Sequence, residues 1–131
     1  MSWECCQIPM IEMLMNQGVV SMHCDLTNKK CKPCEGGVAA LTKNEAEGLL
    51  ENISRWQLSA DVKSISRRFE FKGFNKTMGF INAIAWVVNA ESHHPDVSYG
   101  FNYCEITFTT HAIDGLSEND FICASKIDAL L

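Results

Sequence analysis

The sequence lacks any apolar stretch of the ~20 residues that a membrane-spanning helix needs, and it has no lysine or arginine before Lys29. The positively charged start of a secretory signal is therefore missing, and we expect a cytoplasmic protein. Positive charge is also scarce, since 16 acidic residues stand against 11 basic ones. The resulting formal net charge of -5 argues against direct binding to a nucleic-acid backbone.

Glycine-rich phosphate loops are absent as well, because neither GxGxxG nor GxxxxGK[ST] occurs in the sequence. Cysteine, in contrast, is frequent and occurs seven times in 131 residues. An odd number excludes complete pairing, and without a secretion signal we expect reduced thiols. The length suits one domain, and 47% hydrophobic with 21% charged residues is typical of a globular protein.

The first 37 residues differ from the rest and are expected to form an irregular, cysteine-rich leader that precedes a folded domain over residues 38–131. This leader holds five of the seven cysteines and ends at Gly36-Gly37, a predicted hinge. Two interpretations of the leader remain open. Its thiols are either reduced and disordered, or they form a zinc site, for which the sequence offers His23, Cys24, Cys31 and Cys34.

Periodicity over residues 38–131 predicts the element order α-β-β-α-β-β-α. Helices are expected at about 43–53, at 75–92 and after Ser117, and strands at 56–58, 64–72, 97–101 and 104–110. This order predicts an α+β fold in which three helices pack on one face of a four-stranded antiparallel sheet.

Local signals refine the prediction of these elements. Thr42 and Glu45 form a capping-box pattern, and Asn75 is the expected N-cap of the long helix. In that helix one apolar stripe is expected at Met78, Ile81, Ala85 and Val88. Arg67 interrupts the apolar face of its strand and is therefore expected near the sheet edge.

Three of the four histidines, His93, His94 and His111, come from the end of the long helix and the end of the last strand. If the hairpin folds back, these side chains converge at one end of the sheet. Imidazoles beside a carboxylate suit proton transfer near neutral pH. Two other interpretations stay open here: the adjacent histidines cap a helix end, or the three histidines bind zinc.

Three sequence blocks carry a resemblance to a known family. They are Glu91-Ser92-His93-His94-Pro95-Asp96, Thr109-Thr110-His111 and Gly115-Leu116-Ser117-Glu118-Asn119-Asp120-Phe121. In order and spacing they resemble the signature of the pterin-4a-carbinolamine dehydratases, and the likeness extends over about residues 38–131. The resemblance implies an enzyme that converts 4a-hydroxytetrahydropterin to quinonoid dihydropterin and water, which recycles the pterin cofactor of an aromatic amino-acid hydroxylase. It implies no metal or organic cofactor, and a homodimer or homotetramer.

The resemblance also implies the residues of the site. Its catalytic set is His93, His94, His111 and Asp120, and its substrate-binding set is Trp56, Ser92, Pro95 and Thr109. We expect His93 and His111 to share the acid and base roles, His94 to orient the substrate, and Asp120 to orient an imidazole and support its cationic form. A simple helix-capping role for Asp120 is the competing interpretation.

Two points remain open within this resemblance: one departure from the family pattern and one alternative function. Many members carry Glu four residues before the first histidine, where this chain has Asn89. Some animal members also act as dimerisation partners of a transcription factor, so a non-enzymatic partner protein of the same fold is the alternative function. The expected edge strand and the apolar stripe of the long helix offer surfaces for such an oligomer.

Overall fold

The computed structural model describes residues 25–34 and 37–131. In these residues the α-helices are α1 (Lys43–Leu50), α2 (Phe74–Glu91) and α3 (Glu118–Asp128), and the strands are β1 (Gln57–Leu58), β2 (Ile65–Glu70), β3 (Asp96–Tyr99) and β4 (Tyr103–Phe108). Single turns of 3-10 helix occur at Leu26–Asn28, Glu51–Ile53 and His111–Ile113. The order confirms the predicted α-β-β-α-β-β-α arrangement, and no described helix is long and apolar enough to cross a membrane.

All neighbouring strands are antiparallel, and their spatial order is β1-β2-β4-β3. Alternation along the two central strands places one face of the sheet against the helices. Ile65 and Phe69 of β2 and Cys104, Ile106 and Phe108 of β4 are at most 3% exposed. The residues between them are partly or fully exposed, so the helices in the described part of the chain cover one face of the sheet, as the fold class predicted.

The N-terminus of α1 has the predicted cap. Thr42 N–H donates to Glu45 Oε2 at 2.8 Å, and Glu45 N–H donates to Thr42 Oγ1 at 3.4 Å. This capping box satisfies two backbone donors that the helix itself leaves without partners. The α-helix ends at Leu50, and the remainder of the predicted helix continues as a 3-10 turn.

The start of α2 differs from the prediction. Asn75 is not the N-cap, because the helix begins at Phe74 and Gly73 occupies the cap position. Thr77 Oγ1 donates to the carbonyl of Gly73 at 2.9 Å and lies 3.1 Å from the carbonyl of Phe101, in the loop between β3 and β4. This polar contact fixes the start of the helix against the hairpin.

The buried stripe of α2 is also rotated from the predicted one. It consists of Thr77, Phe80, Ile84 and Val88. Of the predicted stripe, Val88 is buried and Ala85 is exposed. Because the apolar residues of this helix nearly encircle it, periodicity alone does not select the stripe that packs on the sheet.

Arg67 lies on β2, an interior strand, rather than on an edge strand as expected. Its side chain is 11% exposed, and Nη1 donates to Asp128 Oδ1 at 2.5 Å. The indole N–H of Trp56 donates to the same oxygen at 2.9 Å. The carboxylate of Asp128 therefore allows an arginine to occupy the core-facing side of the sheet.

Part of the predicted leader packs against the domain. Leu26 is 1% exposed and belongs to the core, while Thr27 Oγ1 lies 2.9 Å from Ser125 Oγ of α3. Lys29 forms an ion pair with Glu118 at the start of the same helix. The other predictions for the leader, including the hinge and the zinc ligands His23 and Cys24, lie wholly or partly outside the described residues.

The arrangement around Asp128 predicts a stability defect. We expect Asp128→Ala to lower the free energy of unfolding by about 1–3 kcal/mol, because it leaves a nearly buried guanidinium and an indole N–H without their acceptor. Glu70→Ala, which removes only the exposed pair with Arg68, should change it by less than about 0.5 kcal/mol. Urea unfolding measures both, and equal effects of the two substitutions would contradict the prediction.

Candidate active site

The end of α2 directs two histidines away from the helix. Ser92 adopts a left-handed conformation with φ of 54° and ends the helix, and His93 N–H donates to the carbonyl of Val88 at 3.2 Å. The helix therefore stops before Pro95, as the restriction of the residue preceding a proline predicts. This chain reversal turns His93 towards the start of α3.

His93 is held by a buried carboxylate. Its Nε2–H donates to Asp120 Oδ1 at 2.6 Å, and the Asp120 side chain is fully buried. Asp120 Oδ2 accepts two further hydrogen bonds, from Thr110 Oγ1 at 2.8 Å and from Ser117 N–H at 2.9 Å. Asp120 thus caps α3 and forms a hydrogen bond with His93 at the same time. With Nε2 engaged, Nδ1 is the ring nitrogen left for proton exchange.

Aromatic side chains fix the plane of the same imidazole. The ring of His93 stacks on Phe108 with a centroid distance of 5.8 Å and an interplanar angle of 9°. Trp56 packs behind Phe108 at 5.9 Å. The imidazole of His93 is 13% exposed, so it combines a defined orientation with access from outside.

The other two histidines lie at the surface of the same region. His94 is exposed, and its Nε2 lies 3.1 Å from Asn89 Oδ1. Asn89 therefore holds the ring of His94 through a hydrogen bond. His111 is exposed in the 3-10 turn that follows β4.

These groups surround one cleft of about 660 Å³, within the usual size range of small-molecule sites. Its walls are the end of α2 with the following turn (90–94), the residues after β4 (109–112), Asn119 of α3 and residues 30–34. We name residues 30–34 the strap. Sequence reasoning missed the strap as part of the site, because nothing in its composition indicates where it packs.

The strap is attached by buried polar side chains. Asn119, which is 6% exposed, accepts from Lys32 N–H at 3.0 Å and donates to the Lys32 carbonyl at 2.6 Å. Glu91 Oε2 accepts from Cys31 N–H at 2.8 Å, while its other oxygen forms an ion pair with Lys126. Burial alone would raise the pKa of Glu91, but the Cys31 N–H and the Lys126 ammonium lower it below its usual range.

Two thiols meet where the strap packs against α3. Cys31 Sγ lies 3.5 Å from Cys123 Sγ, and both are free cysteines. The hydrogen bond to Cys123, burial and nearby negative charge all raise the pKa of Cys31, so this thiol stays protonated. Burial raises the pKa of Cys104, in the core, to about 11.

The described geometry does not support the interpretation that the three histidines bind zinc. Nε2 of His93 is engaged by Asp120, and no group of three or more His, Cys, Asp or Glu side chains in residues 25–34 and 37–131 is arranged to hold a metal ion. The proposed leader set also requires His23 and Cys24, which lie outside these residues.

Most of the predicted site residues meet at the cleft. His93, His94, His111, Ser92 and Thr109 line it, and Asp120 lies directly behind His93. Two residues predicted to bind substrate are not on its wall, Trp56 and Pro95. Trp56 is 2% exposed, and its indole N–H is bonded to Asp128 within the core. Its link to the site is the packing behind Phe108.

Comparison with known proteins identifies relatives that match most of this chain. The family model for pterin 4 alpha carbinolamine dehydratase matches residues 39–130. A Nitrosomonas eutropha protein, provisionally named a pterin-4-alpha-carbinolamine dehydratase, is 60% identical over 109 residues that cover 82% of this chain and 95% of that protein. A Legionella pneumophila (strain Paris) protein with the same provisional name is 50% identical over 111 residues, 84% of this chain and 98% of that protein.

Both matches are longer than the stretch from residue 38 to residue 131, so they extend into the segment before it. Among solved structures, a Brucella melitensis protein described as a transcriptional coactivator/pterin dehydratase gives a TM-score of 0.66 at 31% identity. That similarity covers 70% of this chain and 97% of the Brucella protein.

The attachment of the strap predicts a pH-dependent contribution to stability. At neutral pH we expect Glu91→Gln to lower the free energy of unfolding by about 1–2 kcal/mol, because it removes the charge that pairs with Lys126. The lowered pKa of Glu91 means that this contribution is present above its unfolded pKa, about 4.3, and is lost as pH falls through the folded value.

Urea unfolding of the wild type and Glu91→Gln between pH 7 and pH 3 measures this contribution, and the difference between the two should shrink towards acid. Glu47→Gln, which removes only the exposed pair with Lys43, is the matched control and should change stability by less than about 0.5 kcal/mol at any pH. A difference that stays constant or grows towards pH 3 would contradict the assignment.

Proposed function

The chain belongs to the pterin-4-alpha-carbinolamine dehydratase family, and we propose that it converts 4a-hydroxytetrahydropterin to quinonoid dihydropterin and water in the cleft at His93. The observation that carries the proposal is the oriented, partly accessible imidazole of His93 in a cleft that two further histidines line. The product is the form that a reductase returns to the tetrahydropterin cofactor of an aromatic amino-acid hydroxylase, so the reaction serves cofactor recycling.

The reaction needs two proton transfers. The hydroxyl on C4a leaves as water when it receives a proton, and N5 loses a proton as the N5–C4a double bond forms. No oxidant, reductant or metal is consumed in this step. We assign the two proton transfers to His93 and His111, while His94, held by Asn89, orients the substrate.

The geometry favours different behaviour for the two imidazoles. His93 is fixed by Asp120 on one ring edge and by Phe108 on one ring face. A fixed ring with one nitrogen available exchanges a proton at one defined position, which suits a reacting atom that the cleft holds in place. His111 is exposed at the wall of the same cleft and can exchange protons with bulk water.

The first test removes the imidazoles. His93→Ala and His111→Ala should each lower kcat by about 10²–10⁴-fold, the usual contribution of a general acid or base. The assay generates 4a-hydroxytetrahydropterin in situ and follows its ultraviolet decay above the uncatalysed rate. Retention of wild-type kcat by the folded double variant would overturn the assignment and favour the alternative, a non-enzymatic partner protein of the same fold.

A second test separates the two roles of Asp120. Asp120→Asn keeps an amide oxygen near the start of α3 but removes the charge opposite His93, and we expect kcat to fall by at least tenfold. Thr42→Ala removes the corresponding cap of α1, does not change a residue that lines the cleft, and should cost about 1 kcal/mol of stability without lowering kcat. If Asp120→Asn lowers only the unfolding free energy, its role in the reaction is disproved.

A further inference from the structure

The strap adds positive charge to the cleft. Lys30 and Lys32 both line the cleft and are exposed, and neither forms an ion pair with any residue that the structure describes. Lys29, next to them in the sequence, is different because it pairs with Glu118. Two neighbouring ammonium groups at the cleft thus have no acidic partner in the described fold.

The acidic groups that the structure describes at the cleft do not pair with these two lysines. Glu91 is the carboxylate on the cleft wall, and its two oxygens are engaged by Lys126 and by Cys31 N–H. Asp120 is fully buried behind His93. The protein as a whole carries a formal charge of -5, so Lys30 and Lys32 are exposed positive charges at the cleft of a chain whose net charge is negative.

The position of these lysines is set by the fold. Asn119 holds both backbone polar groups of Lys32, and Glu91 holds Cys31 N–H. Leu26, in the same segment, is part of the core. The backbone that carries Lys30 and Lys32 is therefore anchored beside the cleft on both sides of Cys31, and only the side chains remain free to meet a ligand.

We propose that the strap lysines bind an anionic group on the substituent that pterins carry at C6, so that this enzyme prefers 4a-hydroxytetrahydropterins with a phosphate ester or carboxylate side chain. The inference rests on the proposed function and names the class of its substrate. The pterin ring is placed at His93 and His111, and its side chain extends towards residues 30–32. Binding of this kind stabilises substrate and transition state equally, so it lowers KM and leaves kcat unchanged.

The experiment compares three substrates generated in situ, whose C6 side chains carry a neutral hydroxyalkyl group, a phosphate monoester or a dicarboxylate. In the wild type, KM for the anionic substrates should be lower and should rise with salt concentration. In the Lys30→Gln/Lys32→Gln double variant, the preference for anionic over neutral substrate in kcat/KM should fall about tenfold. The two anionic arms show whether phosphate or carboxylate is the better ligand.

Two control variants make the result specific. Lys30→Arg/Lys32→Arg keeps both charges and should retain the preference for anionic substrates. Lys76→Gln removes an exposed charge from the first turns of α2 and should leave all three substrates unaffected. The proposal would be overturned if the wild type showed the same kcat/KM for neutral and anionic substrates. It would also be overturned if Lys76→Gln reduced the preference for anionic substrates as much as the Lys30→Gln/Lys32→Gln variant does.

A binding measurement separates failure of this inference from failure of the proposed function. Fully oxidised pterins with a neutral or a phosphorylated C6 side chain do not react, and their intrinsic fluorescence reports binding. If the wild type binds the phosphorylated pterin more tightly and the Lys30→Gln/Lys32→Gln variant loses that difference, the strap assignment holds even where turnover is absent. Turnover of all three substrates without any charge preference contradicts the strap assignment alone.

Discussion

The buried carboxylate of Asp120 is the contact on which the rest of the site depends. It lies at the first turn of α3 and accepts hydrogen bonds from the N-cap of that helix, from Thr110 after β4 and from His93 after α2. A fully buried carboxylate is costly unless its oxygens are engaged. The three elements that provide its donors are therefore held together, and the cleft forms where they meet. Loss of any one donor would leave the charge less well solvated by the protein.

A series of polar contacts leads from Asp120 to the strap. The hydroxyl of Thr110 donates its proton to Asp120. The 2.8 Å hydrogen bond between Thr110 Oγ1 and Ser117 Oγ is therefore donated by the Ser117 hydroxyl. Cys34 Sγ lies 3.5 Å from Ser117 Oγ, and Asn119 Nδ2 contacts Cys34 Sγ at 3.2 Å. Polar contacts thus connect a segment outside the family match at 39–130 with the residue that orients His93. This connection makes residues 30–34 a structural part of the site.

The sequence predicted the fold because its local signals agree with one another. The capping box at Thr42, the alternation of Cys104, Ile106 and Phe108, and the proline after His94 each indicate the element that the structure contains. The rotation of the α2 stripe was not predictable, because a polar residue, Thr77, anchors that face to the carbonyl of Phe101, which is 24 residues away in the chain. Trp56 was assigned to the substrate by resemblance, whereas its partner Asp128 is far away in the chain. A resemblance shows that a residue occupies a position of the family pattern. The contacts that its side chain makes depend on how distant parts of the chain pack together.

The strap shows why composition is a poor guide to the role of a segment. Cysteine content and Gly36-Gly37 suggested an irregular leader, yet what attaches this segment to the domain is hydrogen bonding of its backbone by Asn119 and Glu91 and burial of Leu26. Every residue except proline carries the same backbone donor and acceptor, so such contacts leave no compositional signature in the segment itself. The side chains of Lys30 and Lys32 take no part in this attachment, which uses the backbone of Lys32 and of Cys31. A fixed imidazole and two exposed lysines therefore share one cleft, and different contacts hold them: Asp120 holds His93, whereas Asn119 and Glu91 hold the strap.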